Sequence, residues 1–307
     1  MSEPGPAAPP DVSVVVPLHN EEATIRELVE RTVATLDARA TPYEIVIVDD
    51  GSTDSTPTLL REMATTHPSV RVLTLSRNFG QAAALCCGIF ESRGQTVATM
   101  DGDLQNPPEE IPRLLDALGP EVDVVTGCRA IRHDTTWRWL GSRIVHQMAR
   151  TLVGIDLEDF GGQFKAYRRE VIDAARPVWA PGKPFFALTC WLGFRVAEIR
   201  VRHDPRRVGS SRYGLLSLVR LNVDLITSFT TVPLALLAVL SAVCGVAGIG
   251  GVVWCLATGA TTGFGAALSL LLLGLGGIFF AAAALGVYLA RVYRTLAGGP
   301  TGYVVRR

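Results

Sequence analysis

Two carboxylates one residue apart, Asp101 and Asp103, close an apolar run in the stretch Val97–Glu110, which reads Val-Ala-Thr-Met-Asp-Gly-Asp-Leu-Gln-Asn-Pro-Pro-Glu-Glu. With Gly102 between them, both can turn toward one hard cation just past the end of a strand. Oxygen donors of this kind suit Mg2+ or Mn2+, ions that usually arrive with substrate phosphates. Asn106 reads as an N-cap, Pro107 or Pro108 as the first helical turn, and Glu109 and Glu110 as acids at the positive end of a helix dipole. Alone, the pair is a modest signal, because Asp-x-Asp turns occur in many solvated loops.

Two further polar clusters strengthen it. Asp49-Asp50-Gly51-Ser52 follows the apolar run Tyr43–Val48, and Pro17-Leu18-His19-Asn20-Glu21-Glu22 follows Val12–Val16. Part of the first cluster is a turn with an N-cap at Ser52, Thr53 or Asp54. Even so, adjacent carboxylates repel, and they call for a donor-rich ligand or a cation. The chain has neither a GxxxxGK[ST] loop nor a GxGxxG loop. Phosphate charge would therefore be met by metal and arginine.

The elements that must position these clusters are strands alternating with helices. Val12–Val16 leads into a helix through Ile25, Leu28, Val29 and Val33. Tyr43–Val48 leads into one through Leu59, Leu60 and Met63, and Val70–Leu75 into Ser76-Arg77-Asn78-Phe79-Gly80 and an Ala- and Cys-rich helix. The Asp101 stretch supplies a fourth strand and Val122–Gly127 a fifth. This alternation predicts a doubly wound, mostly parallel sheet, whose ligands bind outside the carboxyl ends of the strands. All three polar clusters lie at such ends.

The three motifs, Val14–Glu22, Val46–Asp54 and Met100–Glu109, in this order, resemble those of the family 2 glycosyltransferases. The resemblance implies an α/β GT-A fold, Rossmann-like with a mostly parallel sheet. It assigns Pro17, Asn20, Glu21, Asp49, Asp50 and Ser52 to the nucleoside of a nucleotide-sugar donor. Asp101, Asp103 and Gln105 fall to a metal–diphosphate, with Mg2+ or Mn2+ as the cofactor.

Beyond Thr126 the character of the chain changes. Arg129, Arg132, Arg138, Arg143 and Arg150 are interleaved with Trp137, Trp139 and aliphatic residues, with Asp134 the sole acid. A basic amphipathic segment near 132–154 with two tryptophans favours a membrane–water interface. No nucleic-acid-binding motif accompanies it, and no nucleic-acid partner is expected. A Gly-rich turn, Asp159-Phe160-Gly161-Gly162, precedes a short strand and helix start. Gly193–Val201 reads as a strand, and Arg202–Tyr213 as a basic loop whose Gly, Ser and Arg residues suit an anion. A cytosolic basic collar beside a membrane helix would look the same.

The formal net charge of the 307-residue chain is zero, which hides an asymmetry: no Asp, Glu, Lys, Arg or His occurs between Asp224 and Arg291. That span is long enough for two transmembrane helices of about 20 residues each. They are expected at 233–256 and 266–289, joined by the turn Ala257–Gly265. Arginines flank the pair on both sides, so the catalytic domain and both termini are expected in the cytoplasm, at the cell membrane. Ala247, Gly251, Gly274 and Gly277 allow close helix packing, a pattern too common to decide whether the chain is a homo-oligomer. The Pro- and Ala-rich start has no signal-peptide features. The six cysteines lack metal or disulfide spacing and read as reduced thiols. The expected organisation is a tail at 1–11, a GT-A domain at 12–213, a juxtamembrane helix at 214–231, the membrane pair within 232–291, and a tail at 292–307.

The second half narrows the resemblance to the polyprenyl-phosphate glycosyltransferases, through Asp159-Phe160-Gly161, Arg168-Arg169, His203-Asp204-Pro205-Arg206 and Gly209-Ser210-Ser211-Arg212-Tyr213. Its implied reaction is inverting transfer of a sugar, with a UDP-sugar as expected donor, to polyprenyl (undecaprenyl) phosphate. The implied acceptor-phosphate set is Arg129, Arg138, Ser142, Arg206, Ser210 and Arg212. Asp103, Asp159 and Arg129 are the expected catalytic groups. Gly102 departs from the family, where Ala is frequent, and Arg212 stands where many members have Lys. A processive polysaccharide synthase is the rival enzyme, but Trp191 lacks the Gln-x-x-Arg-Trp context of that group. A non-catalytic nucleotide-sugar-binding protein is the rival outside it, and the intact acidic motifs argue against decay.

Overall fold

The computed structural model describes residues 10–129, 162–180, 184–204, 232–259, 261–296 and 303–306. The chain divides into two compact units, Met1–Asn222 with Pro300–Arg307, and Val223–Gly299.

The first unit is built on β1 (Val12–Leu18), β2 (Tyr43–Asp49), β3 (Val70–Thr74), β4 (Thr96–Thr99), β5 (Val124–Arg129), β6 (Lys165–Arg168) and β7 (Val196–Val201). They form one seven-stranded sheet in the order β3-β2-β1-β4-β6-β5-β7. The pairs β1–β2, β1–β4, β2–β3 and β5–β7 are parallel, while β6 runs antiparallel to β4 and β5. The mostly parallel sheet expected from the alternating pattern is present. The inserted antiparallel β6 was legible only as a short strand, because pairing direction depends on where the chain returns.

Every residue of β1 is buried, as a parallel strand covered on both faces requires. On one face Val14, Val16, Leu18, Ile45 and Ile47 join Ile25, Leu28 and Leu36 of α1 (Ile25–Asp37), with Leu60 and Met63 of α2 (Thr56–Thr66) and Leu114 of α4 (Ile111–Asp116). On the other, α3 (Gln81–Glu91) closes onto the sheet at Gly88, where a Cβ would stand 2.3 Å from Val15 Cγ1 and 2.9 Å from Val48 Cγ2. Two shorter helices follow, α5 (Arg169–Ala175) and α6 (Phe185–Trp191). Phe185 of α6 meets the edges of Phe90 and Tyr167. The result is a three-layer α/β/α arrangement.

Asn106 is not a helix cap. A 3-10 turn, Pro108–Glu110, precedes α4 with Pro107 at its cap position and no side-chain cap bond. Asn106 Oδ1 instead lies 3.2 Å from His203 Nδ1. The reason is tertiary: β7 delivers His203 beside the turn, and a long-range partner outcompetes the local one. At α2 the N-cap is Ser55, with no side-chain cap bond, rather than the expected Ser52, Thr53 or Asp54; Asp54 Oδ1 accepts from Thr56 N at 3.0 Å within the turn that enters the helix.

The second unit holds α7 (Val232–Thr258) and α8 (Thr261–Leu296). Gly248 approaches the Leu271 backbone, and Gly274 approaches that of Gly245, so closely that a Cβ at either would stand 2.4–2.6 Å away. α8 begins earlier than the polar composition of Ala257–Gly265 suggests, because Gly263 packs under Cys255 Sγ. Both helices are long and apolar enough to cross a membrane, over Ala238–Thr258 and Gly263–Gly286. At 27 residues, α7 spans about 40 Å, more than a hydrocarbon core of about 30 Å. Among the described residues their outward side chains are exposed: Phe279 is 75% and Leu256 72% exposed. A buried core helix of a soluble domain would not leave such side chains open.

Candidate active site

The site begins where β1 and β2 end side by side, with Leu18 in register with Asp49. Asp50 N donates to Leu18 O at 2.8 Å. Beyond the strands the two loops are laced together. Asn20 N donates to Ser52 Oγ at 2.9 Å, and Thr53 N returns the bond to Asn20 Oδ1 at 2.8 Å. Glu21 N donates to Thr56 Oγ1 at 3.0 Å, and Ser55 N to Glu22 Oε2 at 3.0 Å. Asn20 meets this geometry at φ 56°, a left-handed conformation that Asn tolerates better than most residues. The residues assigned to the nucleoside thus form one hydrogen-bonded rim.

The two adjacent carboxylates have different surroundings. Asp49 is 1% exposed; its Oδ1 accepts from Ser52 N at 2.9 Å, and its buried Oδ2 has no hydrogen-bond partner among the described residues. Asp50 turns the other way and accepts from Phe79 N at 2.7 Å and Gly80 N at 2.9 Å. Burial pushes the Asp50 carboxyl above its ordinary range, opposed by those two amides. Gly51 follows the two carboxylates at φ 66°, and a Cβ there would stand 2.6 Å from the Arg77 carbonyl carbon. Only glycine satisfies both the backbone angle and the close approach.

The Asp101 loop joins this rim through three contacts. Met100 N donates to Val15 O at 3.1 Å, and Thr24 Oγ1 to Gly102 O at 3.1 Å. Gln81 Nε2, at the start of α3, donates to Asp101 Oδ1 at 2.6 Å. Asp103 Oδ1 accepts from Gln105 N at 3.1 Å, which folds the loop around Leu104 at φ 59°. A buried leucine in the left-handed region is strained by about 1–3 kcal/mol. Gly102 lies against Leu18, whose Cδ2 would be 2.0 Å from an added Cβ. Leucine thus fills the space that an alanine would take.

On its far side the loop is tied to the segment leaving β7. Asp204 N donates to Gln105 O at 2.8 Å, next to the His203–Asn106 contact. Glu109 is clamped by both Arg31 Nε and Nη2, at 2.9 and 2.8 Å, which holds its carboxyl below the usual range.

Among the described residues no three His, Cys, Asp or Glu side chains converge as a ready-made metal cage. Two partly exposed carboxylates on one loop are instead an open donor set. That suits an octahedral, oxygen-loving ion that keeps water or substrate oxygens in its shell.

Of the expected site residues, the structure gathers Pro17, Asn20, Glu21, Asp49, Asp50, Ser52, Asp101, Asp103 and Gln105 at this rim. Arg129 ends β5, with its backbone in register with Val201. Arg138, Ser142, Asp159, Arg206, Ser210 and Arg212 lie outside the described residues, as do the interface segment 132–154 and the juxtamembrane stretch 214–231. Residue-by-residue reading gave no role to Gln81, Thr24 or the amides of Phe79 and Gly80, and named His203 only within the motif His203-Asp204-Pro205-Arg206. The polar cluster Ser76–Gly80 after β3 was the available signal for the two amides. Burial pushes the Cys87 and Cys190 thiols up to about 12, as expected for inert structural thiols.

The sequence profile described as "Glycosyl transferase family 2" matches residues 13–175. An undecaprenyl-phosphate 4-deoxy-4-formamido-L-arabinose transferase of Pseudomonas aeruginosa is 42% identical over 236 residues, 74% of this chain and 67% of its own. A protein of the same name from Pectobacterium carotovorum is 35% identical over 303 residues, 96% of this chain and 92% of its own. Among solved structures, glucosyl-3-phosphoglycerate synthase from Mycobacterium tuberculosis, in complex with Mn2+, UDP and phosphoglyceric acid, superposes with a TM-score of 0.52. It is 20% identical, and the match covers 71% of this chain and 77% of that one. The same enzyme with Mg2+ and UDP gives a TM-score of 0.52 at 20% identity, covering 71% and 78%. At that identity the likeness concerns the fold.

Proposed function

We propose that this chain, which belongs to glycosyl transferase family 2 and is a glycosyltransferase of GT-A fold, moves a sugar from a UDP-sugar to polyprenyl phosphate with inversion. The observation that carries the donor half is Asp49 Oδ2, a buried carboxylate oxygen at the carboxyl end of β2 with no partner among the described residues. An orphaned buried acceptor costs about 1–3 kcal/mol, and an N–H or hydroxyl of a bound nucleoside would relieve it. The acceptor half rests on the similarity to relatives named for undecaprenyl phosphate, one of them matched over 96% of this chain, and on the two apolar helices.

Asp101 and Asp103, with Gln105, would hold Mg2+ or Mn2+. Bound there, such an ion supplies Lewis-acid stabilisation of the charge on a leaving diphosphate. Asn20, Glu21 and Ser52 shape the nucleoside rim, and Asp50 keeps the Phe79–Gly80 turn closed beside it. Arg129, Arg138, Arg206 and Arg212, with Ser142 and Ser210, offset and orient the acceptor phosphate; guanidinium forks suit that task. The second pKa of a phosphate monoester is about 6, so the attacking oxygen is already ionised near neutral pH. A strong general base is unnecessary, and Asp159 positions the sugar or the acceptor. In-line attack by the phosphate oxygen on the anomeric carbon breaks its bond to the diphosphate, inverts that centre and leaves sugar and lipid joined through one phosphate.

The two apolar helices cross the cell membrane with the catalytic unit and both termini in the cytoplasm. The test of the reaction is metal-dependent transfer of label from a panel of UDP-, GDP- and dTDP-sugars to undecaprenyl phosphate in detergent. Transfer is expected with a UDP-sugar and to be lost in Asp103→Ala. Transfer that persists in that variant would remove the metal assignment, and none with any donor would remove the proposal.

A further inference from the structure

After α8 the chain returns to the sheet. Val305 forms an antiparallel bridge with Leu75, just beyond the end of the edge strand β3. Ser76 N donates to Val304 O at 2.8 Å, and Arg306 N donates to Thr74 O at 2.7 Å. Arg306 Nη2 reaches Ser76 O at 3.4 Å. Two residues upstream of the bridge, the Tyr303 ring stands 6.4 Å from Trp179, which meets the edge of Phe90 on α3 at 5.4 Å. The tail therefore pairs with the chain where β3 ends, at the start of the connection to α3, and through Trp179 it leans on Phe90 near the C-terminal end of that helix.

That connection is the one that reaches the site. Its Phe79 and Gly80 amides donate to the Asp50 carboxylate, and Gln81 at its end donates to Asp101. It also passes over Gly51, which leaves no room for a Cβ. We infer that the C-terminal residues Tyr303–Arg306 are a positioning strand for the nucleotide pocket, bracing the Ser76–Gln81 connection so that Asp50 and Asp101 keep their orientation. The reading rests on the proposed nucleotide site. The physical basis is strand addition: an edge strand offers unpaired backbone groups, and an added segment both satisfies and stiffens them. A terminus held by ladder bonds and an aromatic contact is ordered where free termini fray.

Proline at 306 deletes the N–H given to Thr74, whereas alanine keeps it and removes only the guanidinium. Full-length Arg306→Pro and Arg306→Ala are compared with the parent by amide exchange and by calorimetric binding of UDP with Mn2+. In the proline variant, Ser76, Phe79 and Gly80 are expected to exchange faster. Loss of about one hydrogen bond predicts roughly three- to tenfold weaker UDP binding. The alanine variant is expected to stay near the parent. In transfer assays the proline variant raises KM for the nucleotide sugar and leaves KM for the lipid phosphate unchanged. Parent-like exchange at Ser76 in Arg306→Pro would show that the tail does not brace the connection. Faster exchange with parent-like UDP affinity would show that it docks without positioning the pocket. A parent chain that binds UDP but transfers no sugar would overturn the transferase reading and leave this one standing.

Discussion

Gln81 Nε2 lies 2.6 Å from Asp101 Oδ1, joining the first residue of α3 to the first carboxylate of the Asp-Gly-Asp turn. The bond fixes one oxygen of Asp101, so the carboxylate is oriented before any cation arrives. Gln81→Leu keeps the side-chain bulk and removes the donor. It is expected to raise the Mn2+ concentration for half-maximal transfer by about ten- to 100-fold, the worth of about 1.5–3 kcal/mol for a hydrogen bond to a charged group. An unchanged metal titration would show that Asp101 is oriented by other contacts.

Gly51 is held at φ 66° with the Arg77 and Asn78 backbone within 2.7 Å of where a Cβ would sit. Alanine there must move backbone rather than a side-chain tip. Gly51→Ala should lower the melting temperature, at a cost of about 1–3 kcal/mol, and abolish tight UDP binding. Retention of both would mean the turn has room that its geometry does not show.

Asp49→Asn keeps the shape of the β2 end but replaces a charged acceptor. The Ser52 amide can still be satisfied by the remaining oxygen, so the fold should survive with a parent-like melting curve. UDP affinity should fall about 10- to 100-fold, the worth of one charge-assisted bond in a buried site. Parent-like affinity would separate Asp49 from the nucleoside.

The acid limb of stability has a named origin. Arg195 beside Asp123, and Arg31 beside Glu109, hold those carboxyls below their ordinary values. A depressed carboxyl contributes stability that is complete above its unfolded pKa of about 4 and disappears as pH falls through the folded value. Arg195→Met should therefore flatten the fall of melting temperature below about pH 4, with little change in slope near neutrality. A parent-like acid slope would remove Asp123 from that account.

Period and spacing determined much of this protein. Alternating apolar strands and amphipathic helices prescribe an α/β sheet, because burying both faces of parallel strands demands that pattern. The charge-free span from 225 to 290 is long enough for two apolar helices, because a helix rises a fixed 1.5 Å per residue. The three acidic motifs could be placed at one rim, since topology sends every βα turn of such a sheet to the same edge. What only the tertiary structure decided is which neighbour each polar group takes. Asn106 turns to His203 instead of capping a helix, Asp49 and Asp50 part company within one turn, and Gln81 holds Asp101 from another element. Val305 closes the sheet edge 230 residues after Leu75. These partners lie far apart in sequence, and their choice depends on distances set only when the layers pack, a long-range geometry that no local spacing encodes.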